Sequence, residues 1–372
     1  MRVLTLINPP LQYAGCMTSQ KEIVRQRLAE KLQRECGSVM MAALGDPSVV
    51  EILLNPDGRL WLDVAGKGMH FTGHTIDAAA AESLLTTCAS MLNMTITRDS
   101  PILEGEFPLD GSRLEGIIPP VVRSPVFTIR KKALKVFTLE EYRARGILGE
   151  THGSAANMPQ VAQQLVHDHA IDAIRHAVLK HHNILIVGGT GSGKTTLANA
   201  VLAEIASLCA DDRLVAIEDT MELQVAMPNS VLLRTSESVS MQRLLRATMR
   251  LRPDRIVVGE VRGGEALTLL KSWNTGHPGG IATIHANSAE GGLIRLSQLI
   301  YEAPEARNLS GMTIATMIKE AVNLVLFIER SATPAGRSVS EIMEIQEFSA
   351  DRFVVRPVSI RKPQLDSKFD SN

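Results

Sequence analysis

The chain of 372 residues is poor in aromatics, with two tryptophans and three tyrosines among them. Single-stranded nucleic acid is gripped by stacking platforms within a basic groove, and little stacking surface is on offer here. Charge of one sign is lacking too: 39 Lys+Arg face 40 Asp+Glu, a formal net charge of −1. A sequence-independent nucleic-acid binder carries a basic excess or stripe, so no direct nucleic-acid partner is expected. Cysteines number four, at Cys16, Cys36, Cys88 and Cys209, and none forms a CxxC pair. That leaves no paired-cysteine zinc knuckle and no disulfide framework, and it suits a reducing cytosol. No segment approaches the roughly 18 apolar residues of a membrane span. The apolar run at 3–7 stops at Asn8-Pro9-Pro10, shorter than the ~7–15 residues of a signal-peptide core. No leader is predicted, although Ala14-Gly15-Cys16 resembles the end of a lipoprotein cleavage site.

What is present fits an ordinary globular protein: 45% hydrophobic and 21% charged residues. The length predicts about two domains, each able to bury a core without a covalent staple. After an N-terminal extension (1–17), residues 18–136 read as a small α+β domain. Ser19 and Glu22 have capping-box spacing, and Val24, Leu28 and Leu32 continue a helix that Gly37 is placed to stop. VVEILL and RLWLDV flank Asn55-Pro56-Asp57-Gly58, and ILEGEF and SRLEGII flank Asp110-Gly111, both hairpin signals. A helix over 76–93 and a strand VFTIRK complete that domain. Residues 137–157 read as a linker that opens with a short charged helix. From 158 to 360 strands alternate with helices, which predicts an α/β domain with a mostly parallel sheet. A C-terminal hairpin closes it, followed by a polar tail at 361–372.

NILIVGGTGSGKTT holds Gly188, Gly189, Thr190, Gly191, Ser192, Gly193, Lys194 and Thr195, followed by Thr196. This is the G-x-x-x-x-G-K-[ST] phosphate loop, set between an apolar strand and a helix-forming run. Its glycines turn backbone N–H groups onto phosphate oxygens, and the helix terminus adds positive dipole. Lys194 is placed to reach the β/γ-phosphates and Thr195 to ligate Mg²⁺. RPDRIVVGEVRGGEA ends a buried strand in Glu260, where a carboxylate can hold Mg²⁺ or orient the attacking water. RLVAIEDTMEL repeats that layout with Glu218 and Asp219, and with Glu222 nearby. In TGHPGGIATIHANS a buried strand releases His285 at its exit, with Thr283 two residues earlier on the same face. His277 lies at the other end of that strand and is expected in a turn or subunit contact. Ligands of open α/β sheets bind outside the carboxyl ends of parallel strands. If these four strands are parallel neighbours, their polar exits converge on one crevice. His181, His182, His277 and His285 bring no third ligand at zinc spacing, so no transition-metal site is expected. In helix 240–252, Arg243, Arg246 and Arg250 lie away from the apolar face, as a solvated surface or a neighbour contact.

Together GGTGSGKTT, VAIEDTMEL, LRPDRIVVGEVRGGEA and TGHPGGIATIHANSAEGG resemble the secretion (traffic) ATPase superfamily, as its Walker A, Asp-box, Walker B and His-box elements. Within it, the likeness is greatest to conjugal transfer ATPases of the TrbB kind, in the VirB-eleven branch of type IV secretion. The run 181–303 follows the pattern throughout, and the N-terminal domain follows it more loosely. The resemblance implies a RecA-like P-loop core preceded by a PAS-like domain, ATP and Mg²⁺ as cofactors, and a homohexameric ring. It implies a cytoplasmic motor, peripheral at the inner face of the bacterial inner membrane, working with membrane components of the secretion apparatus. It also implies that N-terminal arginines approach the phosphates, at the positions here of Arg113, Arg130 and Arg123. Glu218 then falls in the general-base position, Glu260 in the Mg²⁺- or water-organising one, and His285 and Arg262 in sensor positions. A type II secretion or pilus ATPase is the runner-up, weakened by the missing CxxC pairs. A nucleic-acid translocase and a non-hydrolysing scaffold are the readings from other classes.

Overall fold

The computed structural model describes residues 12–132, 136–148, 170–236, 238–332, 335–349 and 352–360. Its contacts divide the chain into two units, 1–134 and 135–372. The expected N-terminal extension before residue 12, the end of the expected linker and the polar tail lie outside the described residues.

The first unit is an antiparallel sheet covered by two helices. Six strands, β1 (Val49–Leu54), β2 (Arg59–Val64), β3 (Gly68–Thr75), β4 (Ile102–Glu106), β5 (Arg113–Ile117) and β6 (Val126–Arg130), lie in the order β3-β2-β1-β6-β5-β4. The helices are α1 (Gln12–Gly45) and α2 (Ala78–Met91). Alternation sets the buried face: Leu114 of β5, and Phe127 and Ile129 of β6, pack with Leu32, Met40, Leu84 and Leu85 of the helices. Gly116 is small because α2 comes close, and a Cβ there would stand 2.4 Å from Leu85 Cδ2. Gly37 does not stop α1. It takes a left-handed φ of 65° and kinks the helix, which resumes to residue 45. Cys36 and Cys88 are buried in this core. Desolvation pushes the Cys36 thiol up to about 12, which makes it a packing residue rather than a nucleophile.

The second unit carries an eight-stranded sheet in the order β14-β13-β12-β7-β11-β10-β8-β9. Six strands run parallel: β7 (Ile184–Val187), β8 (Leu214–Glu218), β9 (Ser230–Arg234), β10 (Arg255–Val258), β11 (Ile281–Ile284) and β12 (Leu324–Arg330). The hairpin β13 (Arg337–Ser349) and β14 (Arg352–Ile360) adds antiparallel strands beyond β12. Strands β7, β10 and β11 are buried along their whole length, as a sheet covered on both faces requires. Ile184 and Ile186 point into a core shared with α4 (Ala170–Leu179) and α5 (Lys194–Leu208). Leu185 and Val187 point into the opposite core, with α7 (Glu265–Asn274), α8 (Ala289–Glu302) and α9 (Gly311–Ala321). The short charged helix of the expected linker exists as α3 (Leu139–Ala144), with a Thr138–Glu141 capping box. Its Leu139 and Tyr142 are buried in the α4/α5 core, so it packs as part of the second unit. Helix α6 (Met241–Thr248) follows β9. Among the described residues no helix is long and apolar enough to cross a membrane.

Candidate functional site

Strands β7, β11, β10 and β8 are consecutive parallel neighbours. In register, Val187 pairs with Ile284, and Val258 pairs with Ala282 and Ile217. All four chains therefore leave the sheet at one pole and deliver their next residues to one place: the glycine loop, His285, Glu260, and Glu218 with Asp219.

The loop at 188–193 is shaped by three glycines, for two reasons. Gly191 and Gly193 hold φ of 68° and 104°, in the left-handed region that side chains disfavour. At Gly188 the constraint is space, since a Cβ would stand 2.3 Å from Ile328 O. Gly193 caps α5 with no side chain, so the first-turn N–H groups are left for an anion. Lys194 is buried. Its Nζ donates to Gly188 O at 3.0 Å and Gly189 O at 3.1 Å, and stands 3.3 Å from each ring nitrogen of His285. Ser192 Oγ is buried without a hydrogen-bond partner inside the loop. Thr190 is exposed and Thr196 half-buried. The Thr195 hydroxyl donates to Glu222 Oε2 at 3.2 Å.

The carboxylates are held individually. Glu218 is buried, and its Oε1 accepts the backbone N–H groups of Glu222 and Leu223, each at 2.9 Å. Glu260 Oε1 lies 2.6 Å from His285 Nε2. Its Oε2 accepts from Arg262 Nε at 2.7 Å and from Arg262 Nη2. Arg262 Nη1 donates onward to Asp219 Oδ2 at 3.3 Å, and Asp219 Oδ1 accepts from Thr235 at 2.9 Å. Partial burial works against the Arg262 charge, but the Glu260 carboxylate, with Asp219 and Glu222 behind it, holds the guanidinium above its ordinary range. Thr283 points into the sheet, donating to Gly259 O at 2.6 Å, and so fixes the peptide that carries Glu260. A continuous chain of polar contacts thus runs Lys194–His285–Glu260–Arg262–Asp219–Thr235.

Three expected residues belong to the first unit. Arg113 of β5 lies directly opposite Arg130 of β6. Like charges so placed repel, and here a row of four relieves them: Glu51, Arg130, Arg113 and Glu106 are successive partners across β1, β6, β5 and β4. Arg130 is ion-paired with Glu51. Arg123 is exposed in the bend before β6. His277 sits at the amino pole of β11, where its Nδ1 bonds Pro253 O at 2.8 Å. Two arginines went unnoticed in the sequence. A Cβ on Gly191 would meet Arg330 Nη2 at 2.5 Å, and one on Gly193 would meet Arg337 Nη1 at 2.6 Å. Their signal lies in sheet order: β12 runs beside β7, with Phe327 opposite Val187, so Arg330 at its end flanks the loop, and Arg337, which opens β13, pairs with Arg330.

The residues present fit a nucleotide triphosphate with a divalent cation. The loop is a cradle that any Cβ at 188 would fill, its helix terminus is uncapped, and a buried ammonium closes it. The Thr195 hydroxyl and the Glu222 carboxylate that it meets are oxygen donors of the kind Mg²⁺ takes. The family model described as Type II/IV secretion system protein matches residues 37–364. The probable conjugal transfer protein TrbB of Sinorhizobium fredii is 47% identical over 329 residues, covering 88% of this chain and 93% of that protein. The type IV secretion system protein VirB11 of Brucella suis biovar 1 is 30% identical over 315 residues, covering 80% and 86%. Among solved structures, the Yersinia pseudotuberculosis ATPase DotB superposes with a TM-score of 0.57 at 14% identity, over 86% of this chain and 80% of that one. This last likeness speaks to the fold: a RecA-like α/β core preceded by a smaller α+β domain.

Proposed function

The chain belongs to the Type II/IV secretion system protein family, and on that premise we propose that it is the ATP-hydrolysing motor of a conjugative type IV secretion apparatus. The observation that carries this reading is the contact chain that starts at Lys194 and passes through His285, Glu260 and Arg262. It joins a phosphate-holding cation to the carboxylate best placed to order water. The loop N–H groups and Lys194 bind and screen the phosphates. Mg²⁺, when bound, neutralises phosphate oxygens, and Thr195, Glu222 and Glu260 are the residues to hold it. Glu260 is held on Oε2 by Arg262, and its Oε1 lies 2.6 Å from His285 Nε2, so it is positioned to orient an attacking water. Glu218, buried beside it, is the candidate proton acceptor. His285 touches both Lys194 and Glu260, which suits a sensor of phosphate occupancy. Arg113, Arg130 and Arg123 remain candidate phosphate contacts, with the charge row giving Arg113 and Arg130 a structural role as well.

High identity to a conjugal transfer protein over nearly its whole length favours conjugation over type II secretion. The motor is proposed to act as a homohexamer, peripheral at the cytoplasmic face of the inner membrane, with membrane components of the apparatus as partners. ATP turnover by Lys194→Ala and Glu260→Gln tests the hydrolytic core. Lys194→Ala loses nucleotide binding, and Glu260→Gln keeps binding while kcat falls about 10²–10⁴-fold. Wild-type rates in both variants would refute the assignment.

A further inference from the structure

The amino pole of the same sheet, away from the phosphate loop, carries a second cluster of chemistry-bearing side chains. Cys209 ends α5, Asp212 precedes β8, and His181 lies between α4 and β7. One donor atom from each lies within 4.8 Å of the other two, and all three residues are half-buried. Spacing along the chain hid this grouping because His181 stands 28 or more residues before the others. Folding brings it across.

From these residues we infer a zinc site, His181–Cys209–Asp212, that staples the α4–β7 turn to the α5–β8 turn. Cys209 and Asp212 sit at the ends of one tight turn, closed by the Asp212 N–H donating to Cys209 O at 3.1 Å. This C-x-x-D turn has the two-residue separation of a zinc-binding C-x-x-C turn, with a carboxylate in place of the second thiolate. Zinc–ligand bonds of about 2.0–2.3 Å at tetrahedral angles set donors about 3.3–3.7 Å apart. His181 Nε2 and Asp212 Oδ2 are already 3.5 Å apart, so with all donors within 4.8 Å the set needs a contraction of about 1.5 Å at most, within reach of side-chain rotation. Sulfur, imidazole and carboxylate together select zinc over Mg²⁺ or Ca²⁺. Partial exposure leaves a way in and room for water as the fourth ligand.

A buried partner supports the ligand set. Arg255 is fully buried. It donates from Nε to Asp212 Oδ2 at 2.6 Å, from Nη1 to Gly279 O at 3.1 Å and from Nη2 to Val178 O at 3.0 Å. The oxygen that Arg255 holds is the one nearest His181. A carboxylate oxygen has a second lone pair, so the guanidinium fixes the carboxylate while that lone pair is left for the ion, as outer-shell donors do around metal-bound carboxylates. The same Val178 O accepts the His181 N–H at 3.2 Å and the Cys209 thiol at 3.9 Å, a proton that zinc would displace. All three candidate ligands are therefore referenced to one carbonyl at the end of α4. The guanidinium raises the cost of a dication nearby: the thiolate and carboxylate together neutralise the ion, and the Arg255 charge leaves the group at one net positive charge.

The test uses the full chain, stripped of metal and free of nucleotide, titrated with Co²⁺ and then Zn²⁺. One equivalent of Co²⁺ should give a thiolate-to-cobalt charge-transfer band that Zn²⁺ abolishes. Cys209→Ala should lose the band, His181→Asn should weaken binding at least tenfold by the loss of one of three ligands, and Cys16→Ser should leave it intact. Zn²⁺ should raise the thermal midpoint of the wild type and not of Cys209→Ala. No thiolate band at stoichiometric metal, or a band that survives Cys209→Ala or disappears in Cys16→Ser, overturns the site. Because the readout is spectroscopic, it stands apart from ATP turnover.

Discussion

Gly259 offers the sharpest test of the carboxylate cluster. A Cβ there would lie 2.8 Å from Glu218 Cγ and 3.3 Å from Glu218 Oε1. Comfortable carbon–carbon contact begins near ~3.5 Å, so Gly259→Ala must displace something by more than half an ångström. The neighbouring strand cannot yield, because β10 is buried and paired on both sides with β8 and β11. Glu218 must move, and it is held by two backbone N–H groups at 2.9 Å. Hydrogen bonds to a charged group contribute about 1.5–3 kcal/mol each, and overpacking a tight core costs about 1–3 kcal/mol. The variant should therefore fold, with stability lowered by about 1–3 kcal/mol. Displacing a reacting group by about 1 Å costs on the order of 10²-fold in rate, so kcat should fall by about that factor. The phosphate loop is untouched, and nucleotide affinity should hold. Phosphate release, titration with a fluorescent nucleotide and thermal melting measure the three quantities. Removing the neighbour's Cγ with Glu218→Ala in the Gly259→Ala background should relieve the clash and appear as a non-additive stability gain. Native turnover at native stability in Gly259→Ala would refute the packing argument and the place given to Glu218.

Two further outcomes follow from the same sheet. Asn183 is buried, accepting from Gly280 N–H at 2.8 Å and donating to Ala321 O at 2.6 Å. Asn183→Ala strands both groups and should destabilise by about 2–6 kcal/mol in urea unfolding, at about 1–3 kcal/mol per buried unsatisfied group. Burial, and the His176 ring beside it, hold the His182 imidazole below its ordinary pKa of 6.5, against a smaller opposing pull from Glu344. The unfolded chain then binds the proton more readily, so this contribution is complete above about pH 6.5 and is lost as pH falls below it. His182→Gln should flatten the acid limb of the melting profile between about pH 7 and 5, and an unchanged limb would remove His182 from the explanation.

The buried parallel strands were legible because each is a short, mostly apolar run leading into a glycine, an acid or, for β11, a histidine, and the phosphate loop carries its own spacing. Strands β3 and β9 were not foreseen. Each lies at a sheet edge, and β3, GMHFTGHT, is exposed almost throughout, so no alternation marks it. Gly37 reads as a stop in one dimension, yet the helix resumes beyond its kink because Met40 and Ala43 gain burial in the first core. Among site residues, the strand-end carboxylates and His285 were visible as exits from apolar runs. The partners of each were not: which oxygen of Glu260 faces His285, that Glu222 meets Thr195, and that Arg330 and Arg337 flank the loop all depend on strand order and register. The His181–Cys209–Asp212 grouping was hidden for the same reason, since spacing rules see only neighbours in sequence.

The strand order also bears on how the protein acquires its activity. The strands that end at the crevice are drawn from 184–187, 214–218, 255–258 and 281–284, and β7 is enclosed only when β12, at 324–330, docks against it. Non-local parallel pairing of this kind is slow to form, and the phosphate cradle cannot precede it. Nucleotide then binds the finished sheet and not its precursors, and a ligand at 100 times its Kd stabilises the bound state by about 2.7 kcal/mol. The fuel thereby acts as a late folding ligand. A chain interrupted before residue 324 would still display every nucleotide motif while lacking the flank that holds its loop in shape.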